Sequence, residues 1–152
     1  MPWKTTLERA TEDKREGKAP TTQAGEFVRE EIEHVRRGKH GARNTKQLIA
    51  IGLSKARRAG VDLKPPKKGA VKETTRKSAE SAYRKGQSGG KKTSRKRSRA
   101  VEGALQREGS SAASRKNLSR QAKSAARKRS SASRSAAARK GAQTRRRERK
   151  AA

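Results

Sequence analysis

Cysteine is absent from the sequence, which excludes disulfides, thiolate catalysis and cysteine-ligated zinc or iron–sulfur centres, and agrees with a reducing compartment. Aromatic residues are almost as scarce. Trp3, Phe27 and Tyr83 are the only ones, so the chain offers no platform on which successive unpaired bases could stack. Apolar residues make up 28% of the chain, enough for one small core at most, because few side chains are available to offset the entropy of ordering. Long hydrophobic runs are also missing. From Met1-Pro2-Trp3-Lys4 the chain meets an acidic residue at Glu8, with no stretch suited to a signal peptide or a membrane span, so a cytoplasmic location is expected.

Negative charge is in short supply too: 14 Asp+Glu face 44 Lys+Arg, a formal net charge of +30 over 152 residues. A compact monomer carrying that excess calls for a polyanionic partner or for disorder. The natural counterpart is the regular phosphate charge of nucleic acid, where counterion release drives binding. An anionic membrane surface is the rival. The excess is unevenly spread: residues 1–63 carry 14 basic and 9 acidic side chains, whereas residues 64–152 carry 30 and 5.

Large apolar residues follow the same division. Phe27, Val28, Ile32, Val35, Leu48, Ile49, Ile51, Leu53, Val61 and Leu63 fall in the first part. The spacing predicts a helix over residues 23–37, with Ala24, Val28, Ile32 and Val35 on one face, Thr22 as its N-cap and Gly38 as its stop. A second helix is predicted from Asn44 to just before Gly60. Asn44 and Gln47 suit a capping box, and Gly52 lies within the apolar arc, where it would let the first helix approach closely. Val61 and Leu63 are expected to fold back over the open end. The reading is all-α: a small two-helix hairpin over residues 21–63, preceded by a polar segment over residues 1–20 with at most a short helix. A largely disordered Lys/Arg/Ala/Ser-rich tail with transient helices follows over residues 64–152, beginning at the extended Pro65-Pro66. Residues 95–108 and 114–129 are the stretches expected to become helical once their like charges are neutralised. Two helices alone are marginal, so a homodimer through the hairpin or a contribution from the first 20 residues is expected.

The basic clusters are the candidate nucleic-acid-binding residues: Lys91-Lys92, Arg95-Lys96-Arg97, Arg127-Lys128-Arg129 and Arg145-Arg146-Arg147. Lys67-Lys68 and, from the margin of the second helix, Lys55, Arg57 and Arg58 join them. Repeated cations can track phosphates without a fixed geometry, and the shortage of aromatics favours duplex DNA over single strands, with RNA as the alternative. The bland alternative for any one cluster is a solvated charge run.

Other motifs read as structure. Thr45 to Ser54 has some likeness to the first part of a helix-turn-helix unit, yet a continuous core helix accounts for it better. Gly86-Gln87-Ser88-Gly89-Gly90-Lys91-Lys92-Thr93 superficially matches a phosphate loop but lacks its first glycine and the Ser or Thr after the lysine. His34 and His40 are the only histidines and read as exposed, because metal ligation needs more convergent ligands. Glu30, Glu31 and Glu33 read as the solvent face of the first helix. Trp3 is either a tail residue or a cover over the hairpin seam. No nucleophile, base and orienter fall at a recognisable spacing, so no enzyme, cofactor or metal is expected.

The stretch from Thr21-Thr22-Gln23-Ala24-Gly25-Glu26-Phe27 through Gly38-Lys39-His40-Gly41 to Lys46-Gln47-Leu48-Ile49-Ala50-Ile51-Gly52 and Gly60 resembles a bacterial family of small basic proteins whose shared domain is of unknown function. The resemblance covers about residues 20–68 and implies a bacterial cytoplasmic protein, with no binding residues to transfer. The tail is similar in composition to the arms of linker-histone-like bacterial proteins. The function expected is sequence-independent duplex DNA binding, as a nucleoid-associated or DNA-protecting protein. The alternatives are an RNA- or ribosome-associated protein, or a protein-interaction module with a solubilising tail.

Overall fold

Helix-forming segments punctuated by capping residues and glycine stops give the chain its architecture. The computed structural model describes residues 2–89 and 94–151, the last by its backbone alone. Among these residues there is no strand. The helices are α1 (Lys4–Arg15), α2 (Pro20–Arg36), α3 (Thr45–Arg58), α4 (Glu73–Gln87), α5 (Arg95–Gln106), α6 (Arg115–Arg127) and α7 (Ser131–Ala151), with a 3-10 turn at Ser111–Ala113. They fall into two compact units, Met1–Ser114 and Arg115–Ala152.

The predicted hairpin forms the centre of the first unit. Ala24 meets Ala56 in one core, Val35 meets Leu48 in another, and between them Gly52 faces Val28, so α2 and α3 run antiparallel. A Cβ on Gly52 would lie 2.7 Å from the Val28 Cα, which is why this apolar arc carries glycine. Asn44 caps α3 as expected, its side chain accepting from the Gln47 amide at 2.9 Å. The Gln47 side chain reciprocates one residue further back, at the Arg43 amide, 2.7 Å away. At the end of α2, Gly38 adopts φ +69°. Gly38 N–H then donates to Val35 O and Lys39 N–H to His34 O, the paired closure that a left-handed residue permits.

Helix α2 begins two residues before the predicted Thr22 cap. Pro20 opens it with a preset φ, at a position where the missing N–H is an orphan in any case. The support that the hairpin needed comes from α1, whose Ala10 joins Ala24, Phe27, Ala56 and Val61 in a single core, with Leu53 and Leu63 packed on it. Val61 and Leu63 thus fold back as expected. Pro65-Pro66 belongs to neither helix nor strand and precedes α4, which packs on α3 and buries Ala79 and Ala82.

The expectation of a hairpin with a disordered tail is overturned. Residues 64–152 are mostly helical where described, and part of them completes the core of the first unit: Ala112 and Ala113 pack with Val35, Ala42 and Leu48. The buried Thr45 hydroxyl donates to Ala112 O at 2.8 Å, and Arg36 Nε to Ala113 O at 3.2 Å. Small alanines fit where the sequence reading looked for large apolar residues. The two stretches expected to be only transiently helical are the helices α5 and α6, and α7 adds 21 residues. Ala, Arg, Lys and Gln are good helix formers, and their charges project into water, where screening weakens repulsion. Ser130 starts α7, its hydroxyl accepting from the Ser133 amide at 3.2 Å.

Among the described residues no helix is long and apolar enough to cross a membrane.

Candidate functional site

Packing sorts the candidate phosphate-binding residues into occupied and exposed groups. Arg57 is a correction: it is 7% exposed, and its guanidinium donates to Leu63 O at 3.0 Å and Lys64 O at 3.5 Å, fastening the segment after α3. Burial also lowers its pKa from the usual arginine value. Lys55 is largely covered, its ammonium held by Glu31 with Glu30 at 3.8 Å. Neither side chain is presented to a polyanion. Arg58, Lys67, Lys68, Arg95, Lys96 and Arg97 are exposed in the first unit, and Arg127, Lys128, Arg129, Arg145, Arg146 and Arg147 in the second. Lys91 and Lys92 lie outside the described residues, as does the end of the glycine-rich motif from Gly90 to Thr93.

The second unit concentrates exposed charge most clearly. Residues 115–152 hold 15 basic side chains and one acidic, Glu148, and among residues 115–150 none is buried. On α6, Lys116, Arg120, Lys123 and Arg127 recur at i, i+4, i+7 and i+11, a single face, while Leu118, Ala122 and Ala125 occupy the opposite one. All four cations are exposed, and among the described residues none has a carboxylate within ion-pair distance. The stripe is about 16 Å long at 1.5 Å per residue. Three of its members, Lys116, Arg120 and Lys123, were not among the candidates. Reading the tail for clusters rather than for helical period concealed them.

In the first unit, α1 and α3 enclose α2 more fully than its apolar stripe implied, and ionisable groups enter the interior. Glu31 is 0%, Glu30 2% and His34 7% exposed. The expectation that Glu30 and Glu31 form a solvent face, and that His34 and His40 are exposed, is therefore overturned. Glu33 alone stays partly exposed, facing Arg36 and Arg37. The Trp3 amide donates to Glu30 Oε2 at 3.0 Å, and its indole meets the His34 ring edge-on, with centroids 4.7 Å apart. Trp3 is thus a cover. Its own ring faces outward to Lys39 and Arg37 at 4.9 and 5.3 Å.

His34 Nδ1 lies 3.2 Å from Glu31 Oε1, and His40, brought round by the Gly38 turn, sets Nε2 3.3 Å from Glu31 Oε2. Desolvation, followed by the nearby Lys55 ammonium, lowers the His34 pKa below the usual histidine value. Glu31, His34 and His40 offer ligand atoms that all lie within 4.8 Å of one another. The signal was legible in part: Glu31 and His34 share a helix face at i, i+3, but His40 joins them only through the turn. An open cleft of about 620 Å³ between α3 and α5 reaches Glu31, His40 and Lys55.

No protein-family model matches the sequence, and no curated protein or solved structure is similar to it.

Proposed function

We propose that the protein binds nucleic acid without sequence preference, duplex DNA foremost, as a nucleoid-associated or DNA-protecting protein of the bacterial cytoplasm. The observation that carries this reading is the exposed cationic stripe Lys116, Arg120, Lys123 and Arg127, in a unit of 38 residues that has one carboxylate. Such cations can neutralise phosphates and release the counterions condensed on a nucleic acid, and a rigid helix lines them up at low entropic cost. The stripe spans the rise of about five nucleotides of one strand. Tyr83 is tied to Asp62 by a 2.6 Å hydrogen bond and Trp3 covers the interior, which leaves little aromatic surface for unpaired bases and favours a backbone-reading mode on a duplex. Alternating basic and apolar faces on α6 add a geometric element to what composition implied.

Gel-shift titration of the full chain on a short duplex tests the reading. Binding is expected to weaken steeply with salt, with log K falling against log salt at a slope near −9 if about ten phosphates are neutralised. Absence of binding in moderate salt, or binding indifferent to salt, overturns it. Competition by structured RNA at lower concentrations than by duplex DNA would place the protein among RNA-associated ones instead.

A further inference from the structure

We propose that Glu31, His34 and His40, with Glu30 beside them, form a binding site for a divalent transition-metal ion of the zinc class. Hydrogen-bond donors and acceptors do not balance in the buried centre. His40 Nδ1 faces Gly41 O at 3.0 Å, and a carbonyl only accepts, so Nδ1 carries the proton and Nε2 presents a lone pair. That lone pair points at Glu31 Oε2, 3.3 Å away, which is itself an acceptor. His34 repeats the arrangement: Nδ1 donates to Glu31 Oε1 at 3.2 Å, and Nε2 faces Glu30 Oε1 at 3.8 Å. Three of these atoms, Glu30 Oε1, Glu31 Oε2 and His34 Nε2, are buried without a hydrogen-bond partner.

Acceptor thus faces acceptor in two pairs, His40 Nε2 with Glu31 Oε2 and His34 Nε2 with Glu30 Oε1, a costly arrangement in a desolvated interior that the Lys55 ammonium, 3.8 Å from Glu30 Oε1, offsets only in part. The charge is unbalanced in the same sense. Two buried carboxylates face the single Lys55 ammonium, which leaves one negative charge over. A divalent cation held by Glu31, His34 and His40 would satisfy orphaned acceptors and reverse the charge. Two imidazoles with carboxylates suit zinc and its first-row neighbours, whereas calcium and magnesium prefer oxygen alone. Ligands about 2.0–2.1 Å from a tetrahedral ion stand about 3.3 Å apart, the separation found between His40 and Glu31. The Gly41 carbonyl on Nδ1 supplies the orienting bond that metal-bound histidines commonly make. The cleft beside α3 provides the entry path, since Glu31 and His40 line it.

Titration of metal-free, full-length protein with Co²⁺, followed by visible absorption, tests the assignment. With no cysteine and two histidines in the sequence, imidazole ligation has no other place to arise. One equivalent of Co²⁺ is expected to give ligand-field bands that one equivalent of Zn²⁺ abolishes. Affinity should fall by at least about 100-fold in His34→Gln and in His40→Gln, more than the loss of an orienting partner costs. Should His34→Gln fail to fold, the half-buried loop variant His40→Gln decides. Absence of bands in the wild type, or equal Co²⁺ affinity in His40→Gln, overturns the proposal.

Discussion

Residues 1–114 and 115–152 carry similar net charge, +16 from 29 basic and 13 acidic side chains and +14 from 15 and one, yet the first mixes paired and unpaired cations where the second has almost no carboxylate to pair with. In the first unit some carboxylates pair with surface cations and two enter the core, Glu30 and Glu31 around Lys55. In the second, cations stand on exposed helix faces with almost nothing to answer them. The difference teaches that net charge alone does not locate a polyanion interface. Unpaired charge on an ordered face is the better guide: α6 presents it as a single stripe, and in the first unit the start of α5, with exposed Arg95, Lys96, Arg97 and Arg99, is the comparable place, whereas α1 and α2 pair many of theirs.

The largest break in this comparison should come from the core that only the first unit has. Phe27→Ala, at a side chain 1% exposed, should cost about 3–5 kcal/mol, a large share of a small domain's stability, and urea denaturation should show the cooperative transition move far to lower denaturant. Lys55→Met keeps the stem but strands two buried carboxylates. The expected loss is about 3 kcal/mol, toward the low end for a broken buried pair because the ammonium is partly solvated. Removing the α3 cap with Asn44→Ala should cost about 1 kcal/mol in the same assay. Smallest of all, neutralising the α6 stripe as Lys116→Gln, Arg120→Gln, Lys123→Gln and Arg127→Gln should leave stability within about 0.5 kcal/mol, since these side chains make no buried contact.

Local signals in the sequence were reliable where one residue type has one physical use. Gly38 as a stop, Asn44 with Gln47 as a cap and Gly52 as a close approach all lie where expected, because each answers a backbone requirement. The reading failed where the answer depended on what lay opposite. Hydropathy placed Glu30, Glu31 and His34 in solvent, since nothing on α2 itself discloses that α1, Trp3 and Lys55 would close over them. Ala112 and Ala113 looked like low-complexity tail and turned out to be core, being small enough to fit against Val35 and Leu48. Of the candidate binding residues, Arg57 was misjudged for the same reason: its charge is visible in the sequence, but the Leu63 and Lys64 carbonyls that engage it are placed by the fold. The α6 stripe was legible all along, once a period of 3.6 is applied to the tail.

The central claim, that unpaired cations rather than total charge make the interface, is tested most directly by the salt dependence of duplex binding in two matched variants of the full chain. One neutralises Lys116, Arg120, Lys123 and Arg127 of the stripe. The other neutralises Lys4, Arg9, Arg15 and Arg37, which face Glu8, Glu26, Glu12 and Glu33. Both remove four positive charges. The account predicts that the stripe variant's slope of log K against log salt becomes shallower by about 3.6, while the paired-cation variant stays close to the wild type. Equal changes in the two variants would contradict it.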